Sequence, residues 1–445
     1  MSNRKDKYGE VFTPPILIQE LLDHLPKYVW TDSNARWLDP CAGQGNFTDE
    51  IVPRLMEGLA KTMPNETTRR RHILERMITH IEFNPANVRV LRAKYGSKAQ
   101  IISADYLKYQ PSNVNKSKTF DVIVANPPYQ SPKNLTYKGS SGKRTLWDLF
   151  VKHALEMSTP KTGILGFITP SNWRRPEHEL WTLLRERLLY LHIYGKSAGI
   201  EHFHVQTRFD IYVFSQDPHL GPIPLLVDED GNRHEREIVA KQWAFLPNGM
   251  YKSIQRLLVP KEQGIQVIYH SSLYDARKLT KKPTARFSYP IVHTLNQHGM
   301  GLLYASERDP TQFVPKVILN VNEKQYPVND WQGKYGMSQL SFGIPIRTKK
   351  EGERWLSCLQ TPLFQDIIRL TKWASFQTDY RMFGYFRPDM CSDASTTFSA
   401  TSLVLRNSTD LRSTSLNEFS SSSLQTTKKN KPSNYTKKHN VTRRR

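Results

Sequence analysis

Leu38-Asp39-Pro40-Cys41-Ala42-Gly43-Gln44-Gly45-Asn46-Phe47 reads as the end of a strand, a glycine-containing turn and the start of a helix. Gly43 and Gly45 let a backbone approach a ligand closely, and an acid at a strand end, here Asp39, can accept hydrogen bonds from an amino group or hydroxyl. Tight strand-to-helix turns also need glycine for structural reasons alone, so the glycines by themselves define no ligand. The stretch lacks the third glycine of a dinucleotide fingerprint and the Lys-Ser/Thr pair of a triphosphate loop. A nucleoside without a pyrophosphate fits it better.

Outward from this turn, short β-branched apolar runs alternate with amphipathic segments. The pattern predicts strands over 35–38, 78–82, 100–104, 121–125, 163–169, 190–194 and 209–214, with helices over 15–25, 46–62, 85–95, 145–157 and 176–188. Seven strands joined by helices imply an α/β, Rossmann-like sheet that ends near residue 215. From 216 to 390 the text turns to irregular stretches rich in Pro, Gly, Lys and aromatics, with a strand-like run over 314–321 and a helix near 364–372. This predicts a second domain with long loops. Residues 391–445 are rich in Ser, Thr and Lys and end in Arg443-Arg444-Arg445; so little apolar surface cannot offset the entropy of ordering, which predicts a disordered basic tail. The expected units are therefore 1–215, 216–390 and 391–445.

Two further stretches carry chemistry. Ile81-Glu82-Phe83-Asn84 ends the second expected strand in an acid able to accept from both hydroxyls of a ribose. It follows Gly45 by more than the ~20 residues of the dinucleotide fold, so an insertion is expected around 61–71. The other reading of Glu82 is an ordinary acid ahead of a helix starting at Pro85. The strongest signal is Asp121-Val122-Ile123-Val124-Ala125-Asn126-Pro127-Pro128-Tyr129, an apolar strand that stops in an amide, two prolines and an aromatic ring. The lone pair of an adenine amino group is drained into the ring. An enzyme that methylates it must supply two acceptors for the amino hydrogens, which return that lone pair to nitrogen. The Asn126 side-chain oxygen and the Pro127 carbonyl can be those acceptors, because the prolines hold the backbone extended. Tyr129 offers a face for a base taken out of its stack.

The 445-residue chain carries a formal net charge of +22, which suits a polyanionic partner, nucleic acid being the commonest; a solvated basic surface is the plainer alternative. Arg277, Lys278, Lys281, Lys282 and Arg286 are candidates for phosphate contact, or a solvated face. Three scattered cysteines, Cys41, Cys358 and Cys391, are too few for a disulfide framework or a zinc cluster, so no metal is expected and the setting reads as reducing and cytoplasmic. The first ten residues lack the apolar core of a signal peptide, and no run approaches the ~18 apolar residues of a membrane span.

These motifs together resemble the N6-adenine branch of the amino DNA methyltransferases in the gamma order. There a Phe-x-Thr-Pro-like segment precedes the cofactor loop, the Asn-Pro-Pro-Tyr motif follows, and a target-recognition domain comes last. Glu10-Val11-Phe12-Thr13-Pro14 matches the first segment, and 216–390 occupies the place of the last. The resemblance implies a seven-stranded S-adenosylmethionine-dependent methyltransferase sheet. It puts Thr13 and Asp39 at the methionine end of S-adenosylmethionine, with Pro40, Ala42, Gly43 and Gly45 in the loop around it, Glu82 on its ribose and Asp105 on its adenine amino group. Asn126, Pro127, Pro128 and Tyr129 would form the catalytic motif. Phe203 resembles the family's second aromatic contact to the flipped base, a buried core Phe being the other reading. The loop departs from the family's usual Pro-Ala-Cys-Gly-Ser-Gly by shifting the thiol.

The implied activity is methyl transfer from S-adenosylmethionine to N6 of adenine in double-stranded DNA, by a monomer, any partner restriction endonuclease being encoded separately. Direct in-line transfer needs no covalent intermediate; Cys41 lies in the cofactor turn and reads as a small buried side chain rather than a nucleophile. The same Asn-Pro-Pro-Tyr motif occurs in enzymes that methylate adenine in ribosomal RNA or a release-factor glutamine. A non-catalytic specificity component with a degenerate methyltransferase fold is the alternative from another class.

Overall fold

The computed structural model of the chain describes residues 12–110, 119–131, 145–219, 221–270, 279–322, 324–373 and 377–391. Glu10 and Val11, the basic candidates Arg277 and Lys278, and the expected tail beyond residue 391 lie outside the described residues.

Leu17, Ile18, Leu21 and Leu22 recur at helical spacing and form the buried face of α1 (Pro15–Asp23), which opens with proline at a position where its missing N–H costs nothing. The chain then enters β1 (Trp37–Asp39), turns, and continues as α2 (Asn46–Gly58). A short α3 (Glu66–His72) overlaps the insertion expected around 61–71, and one wide helical turn over Ile73–Met77 follows it. β2 (Ile78–Glu82), α4 (Pro85–Tyr95), β3 (Gln100–Ser103), β4 (Val122–Ala125), α5 (Trp147–Met157) and β5 (Ile164–Pro170) follow. Next come α6 (Glu179–Leu184), β6 (Leu188–Tyr194), α7 (Lys196–Phe203) and β7 (Phe209–Ser215).

All seven expected strands form, and β8 (Leu225–Val227) and β9 (Arg233–His234) lengthen the sheet to nine, in the order β3-β2-β1-β4-β5-β7-β6-β8-β9. β3, β2, β1, β4 and β5 are parallel, whereas β7 runs antiparallel between β5 and β6. The expected helix over 176–188 shortens to α6 because Leu188 already pairs with Phe214 in the sheet. α7 was not anticipated, since Lys196-Ser197-Ala198-Gly199 has no apolar stripe.

Past the sheet, α8 (Tyr251–Gln255) leads to two small sheets. The first contains β10 (Leu279–Thr280), β11 (Tyr289–Asn296), β12 (Gly299–Ala305) and β15 (Gly336–Met337); the second contains β13 (Lys316–Asn320), β14 (Val328–Asp330) and β16 (Ser341–Pro345). α9 (Lys349–Leu359) and α10 (Pro362–Leu370) follow, each capped by a threonine hydroxyl that accepts from a first-turn N–H. Cys358 and Cys391 are joined by a disulfide, and Cys41 is the free cysteine among the described residues. The scattered spacing did not announce that covalent tie. Among the described residues no helix is long and apolar enough to cross a membrane.

Arg174 and Asp210 anchor the later chain to the sheet. Both are fully buried, and their ion pair has Nε to Oδ2 at 2.7 Å and Nη2 to Oδ1 at 3.0 Å. The remaining guanidinium donors reach the carbonyls of Leu246 and Pro247 and the side-chain oxygen of Asn248. Asn248 in turn donates to the Lys372 carbonyl.

Candidate active site

The strand order reverses between β1 and β4, so their connections leave on opposite sides and open a crevice at the carboxyl ends of the parallel strands, where ligands of such sheets bind. The sequence puts Asp39 at the end of β1, Glu82 at the end of β2 and Asn126 just past the end of β4. Three stretches far apart in the chain thus meet at one edge of the sheet.

The loop after β1 is held from several sides. Gly43 and Gly45 have φ of 53° and 91°, the left-handed region that glycine enters without a steric penalty. The Ala42 N–H donates to the Ile81 carbonyl at 3.1 Å, and the Gly43 N–H donates to Glu82 Oε2 at 2.7 Å. Glu82 Oε1 accepts from the Asn84 N–H at 2.6 Å, so its buried carboxylate is oriented by the backbone of both its own loop and the glycine loop. Tyr95 donates its hydroxyl to the Gly45 carbonyl at 2.9 Å and lies so close that a Cβ at Gly45 would meet that oxygen at 2.2 Å. No local pattern 50 residues from the loop points to Tyr95. At Gly43 a Cβ would meet nothing within 4 Å, which leaves the loop open on that side. Gly45→Ala is expected to lose ~1–2 kcal/mol from backbone strain alone, with more from the Tyr95 overlap, and to weaken cofactor binding; thermal melting and calorimetry check it.

Asp39 is buried. Its Oδ1 accepts from the Cys41 N–H at 3.3 Å, while Oδ2 has no partner among the described residues. Burial, and the neighbouring charge of Glu82, push this carboxyl up to about 7 against the pull of the Cys41 N–H. A buried acid with one oxygen unoccupied fits a cationic amino group. Folded Asp39 holds its proton more tightly than an unfolded aspartate, so its contribution to stability is full at acid pH and is lost as pH rises through about 7. Binding of an ammonium has the opposite sign, since it needs the carboxylate. Affinity for S-adenosylmethionine is therefore expected to tighten as pH rises to about 7 and then level off, and Asp39→Asn should flatten that dependence in calorimetry on either side of neutrality.

Thr13, buried ahead of α1, connects the two motifs. Its Oγ1 accepts from Asn126 Nδ2 at 2.9 Å, and its carbonyl accepts from Asn46 Nδ2 at 3.2 Å. With its amide nitrogen so engaged, Asn126 keeps a buried Oδ1 that has no partner among the described residues. Cys41 donates its thiol to the Asn126 carbonyl at 3.4 Å, and burial pushes that thiol well above its ordinary value, so it stays protonated. Pro40 and Pro127 are buried, and Pro128 and Tyr129 are half-buried. The Tyr129 carbonyl accepts from the Leu146 N–H at 3.2 Å; its hydroxyl is buried without a partner among the described residues, and burial raises its pKa.

Asp105 lies past β3, where its carboxylate caps the turn Tyr106–Lys108 through the Leu107 N–H at 3.1 Å and pairs with Lys108 at 3.6 Å. Phe203 stands apart from this group: it is 6 % exposed and meets Phe209 edge-on, with centroids 4.9 Å apart, inside the core of the large sheet. Lys281, Lys282 and Arg286 are exposed near β10. Among the described residues no three His, Cys, Asp or Glu side chains group as a metal site.

The sheet order, the glycine loop and the acids at the ends of β1 and β2 are those of the S-adenosylmethionine-dependent methyltransferase fold. Within that class, residues 54–192 match the Eco57I restriction-modification methylase family. An uncharacterized adenine-specific methylase of Mycoplasma pneumoniae is 24 % identical over 252 residues, which cover 40 % of this chain and 59 % of that one. The type II methyltransferase M.BstVI of Geobacillus stearothermophilus is 28 % identical over 193 residues, 36 % of this chain and 33 % of the other. The chain thus spans less than two thirds of the length of these curated relatives. The type IIL restriction-modification enzyme MmeI, solved in complex with DNA, superposes with a TM-score of 0.52 at 11 % identity over 87 % of this chain and 68 % of that one. That coverage carries the likeness of fold beyond residue 215. S-adenosylmethionine is the cofactor this fold and family use, and the loop opening at Gly43 and the unpartnered Asp39 Oδ2 suit it.

Proposed function

We propose that the chain transfers a methyl group from S-adenosylmethionine to N6 of adenine in double-stranded DNA, as a site-specific adenine methyltransferase. The observation that carries this reading is Asn126, whose amide nitrogen is tied to Thr13 while its buried oxygen has no partner among the described residues. An acceptor already desolvated and oriented draws on a developing N–H dipole more strongly than one that must first shed water. Thr13, Asp39, Pro40, Ala42, Gly43, Gly45, Glu82 and Asp105 would hold the cofactor, which supplies a methyl group bonded to a cationic sulfur. Asn126 Oδ1 and the Pro127 carbonyl would accept the two amino hydrogens and so return the lone pair to nitrogen, the atom that would take the methyl group directly from the cofactor without a covalent enzyme intermediate and then release its surplus proton to solvent. Pro128 stiffens the motif, and the half-buried ring of Tyr129 would take the face of the extruded base. Phe203 would line that pocket only if α7 moves.

In this reading residues 1–215 form the catalytic unit, 216–390 recognise the target and 391–445 add a basic tail, in a monomeric, cytoplasmic, DNA-associated protein, any partner endonuclease being encoded separately. The match to the Eco57I family and the adenine-specific methylase named among the relatives support the choice of base. Incubation with tritium-labelled S-adenosylmethionine and unmodified duplex DNA, followed by nucleoside chromatography, is expected to put label on N6-methyladenine. Label absent from DNA while cofactor still binds would redirect the search to RNA or to a glutamine amide.

A further inference from the structure

Phe313 combines two unfavourable features. Its ring is 61 % exposed, and its φ is 64°, a left-handed conformation that costs a bulky residue energy and persists only where the surroundings impose it. The Phe313 N–H donates to the Gly333 carbonyl at 2.7 Å, and Gly333, with φ of 64°, sits where a Cβ would lie 2.7 Å from the Phe313 backbone. Gly333 closes a turn by donating to the Asp330 carbonyl at 3.0 Å, and that turn presents Trp331, 40 % exposed, beside exposed Gln332.

Lys316 locks the two loops together. Its ammonium, fully buried, lies 2.7–3.1 Å from the carbonyls of Thr311, Val314 and Tyr335 and from Asp330 Oδ2. Asp330 also accepts from the Lys334 and Tyr335 N–H groups, and Gln312 Nε2 donates to the Lys334 carbonyl. This scaffolding holds two large aromatic side chains in solvent. The exposed guanidinium of Arg308 lies 4.2 Å from the centroid of the Phe313 ring, and Lys334 is exposed beside the turn, with Glu307 the adjacent exposed acid.

From this we infer that the tip formed by loops 306–314 and 331–335 is a DNA contact, in which the Phe313 and Trp331 rings lie against bases while Arg308 and Lys334 face phosphates. The inference rests on the DNA reading above and deepens it. Aromatic faces stack on any base, and adjacent cations neutralise the backbone, so the pairing of ring and guanidinium is a chemical fit to nucleic acid. Two rings on a cationic tip offer too little apolar area for a stable protein interface of ~1,000 Å² or more, and the chain's net charge of +22 favours the polyanion.

The test uses the full chain and unmethylated genomic DNA fragments, with four readouts: thermal melting, S-adenosylmethionine binding, retention of fragments, and tritium transfer at limiting DNA. Phe313→Gly removes the ring and relieves the backbone. It is expected to melt no lower than the parent and to bind cofactor equally, yet to retain fragments about tenfold more weakly and to lose kcat/KM for DNA in proportion. Trp331→Ala should shift the same two DNA readouts. If the parent binds and methylates DNA and both variants match it, the tip is not a DNA contact. A lower melting temperature for Phe313→Gly would make the ring structural, and a concentration-dependent dimer of the parent that is lost in the variant would assign the tip to self-association; either overturns the inference. A parent that neither binds nor methylates DNA overturns the wider DNA reading instead.

Discussion

Asn126→Ala should lose about 10²–10³-fold in kcat while binding S-adenosylmethionine as the parent does. The size follows from the setting. Asn126 Oδ1 is buried and unpartnered, so it is desolvated before any base arrives, and an acceptor in that state loses little energy in reorganisation when the amine begins to gain positive charge. Truncation leaves the fold of the motif in place, because Pro127 keeps residue 126 extended whatever its side chain. Thr13 Oγ1 loses its amide donor in the variant, but that hydroxyl can turn to another partner. Single-turnover transfer of tritium to duplex DNA measures the effect. Transfer at the parental rate would show that Asn126 is a structural end to β4 and would remove the main support for amine methylation.

Arg174→Met should destabilise the protein by about 3–5 kcal/mol, because it leaves the Asp210 carboxylate buried with no cation. Both side chains are at 0 % exposure, so water cannot compensate the lost pair, and Asp210 would retain only the hydroxyl of Ser171 at 2.8 Å among its side-chain partners. The carbonyls of Leu246 and Pro247 would lose their guanidinium donor as well, loosening the later chain from the large sheet. Urea unfolding gives the magnitude. The double variant Arg174→Met with Asp210→Leu should recover part of the loss, since apolar groups of similar volume can replace a buried pair at small cost; a double variant as unstable as the single one would refute the charge argument and leave packing as the cause.

The first seven strands of the large sheet were legible in the sequence because most are short, largely apolar runs. Parallel strands covered on both faces bury all their side chains and so carry that signature. Ile78–Glu82 was placed to the residue, whereas β1, expected over 35–38, forms over Trp37–Asp39, its end reaching Asp39 because that acid is buried with Trp37 and Leu38 although it does not look apolar. Helix ends were less legible. α2 stops at Gly58 rather than near 62 and runs out into local turns, and α6 gives way to β6 at Leu188 because a neighbouring strand captured backbone groups the helical pattern would have used. The two strands beyond 215 and the paired small sheets gave weak signals, being two to eight residues long and interrupted by loops.

The motifs that could do chemistry were determined by the sequence alone: Asp39 before a glycine turn, Glu82 at a strand end, and Asn126 to Tyr129 after an apolar run. Each is a local pattern, in which backbone geometry and side-chain type act within a few residues of one another. Only the tertiary structure decided that Thr13 holds the Asn126 amide, that Tyr95 closes the Gly45 turn, that Asp39 keeps an oxygen free at a raised pKa, and that Phe203 sits in the core. Those outcomes depend on desolvation and on contacts across 50 to 113 residues of chain, and neither quantity exists until the sheet has brought the distant segments together.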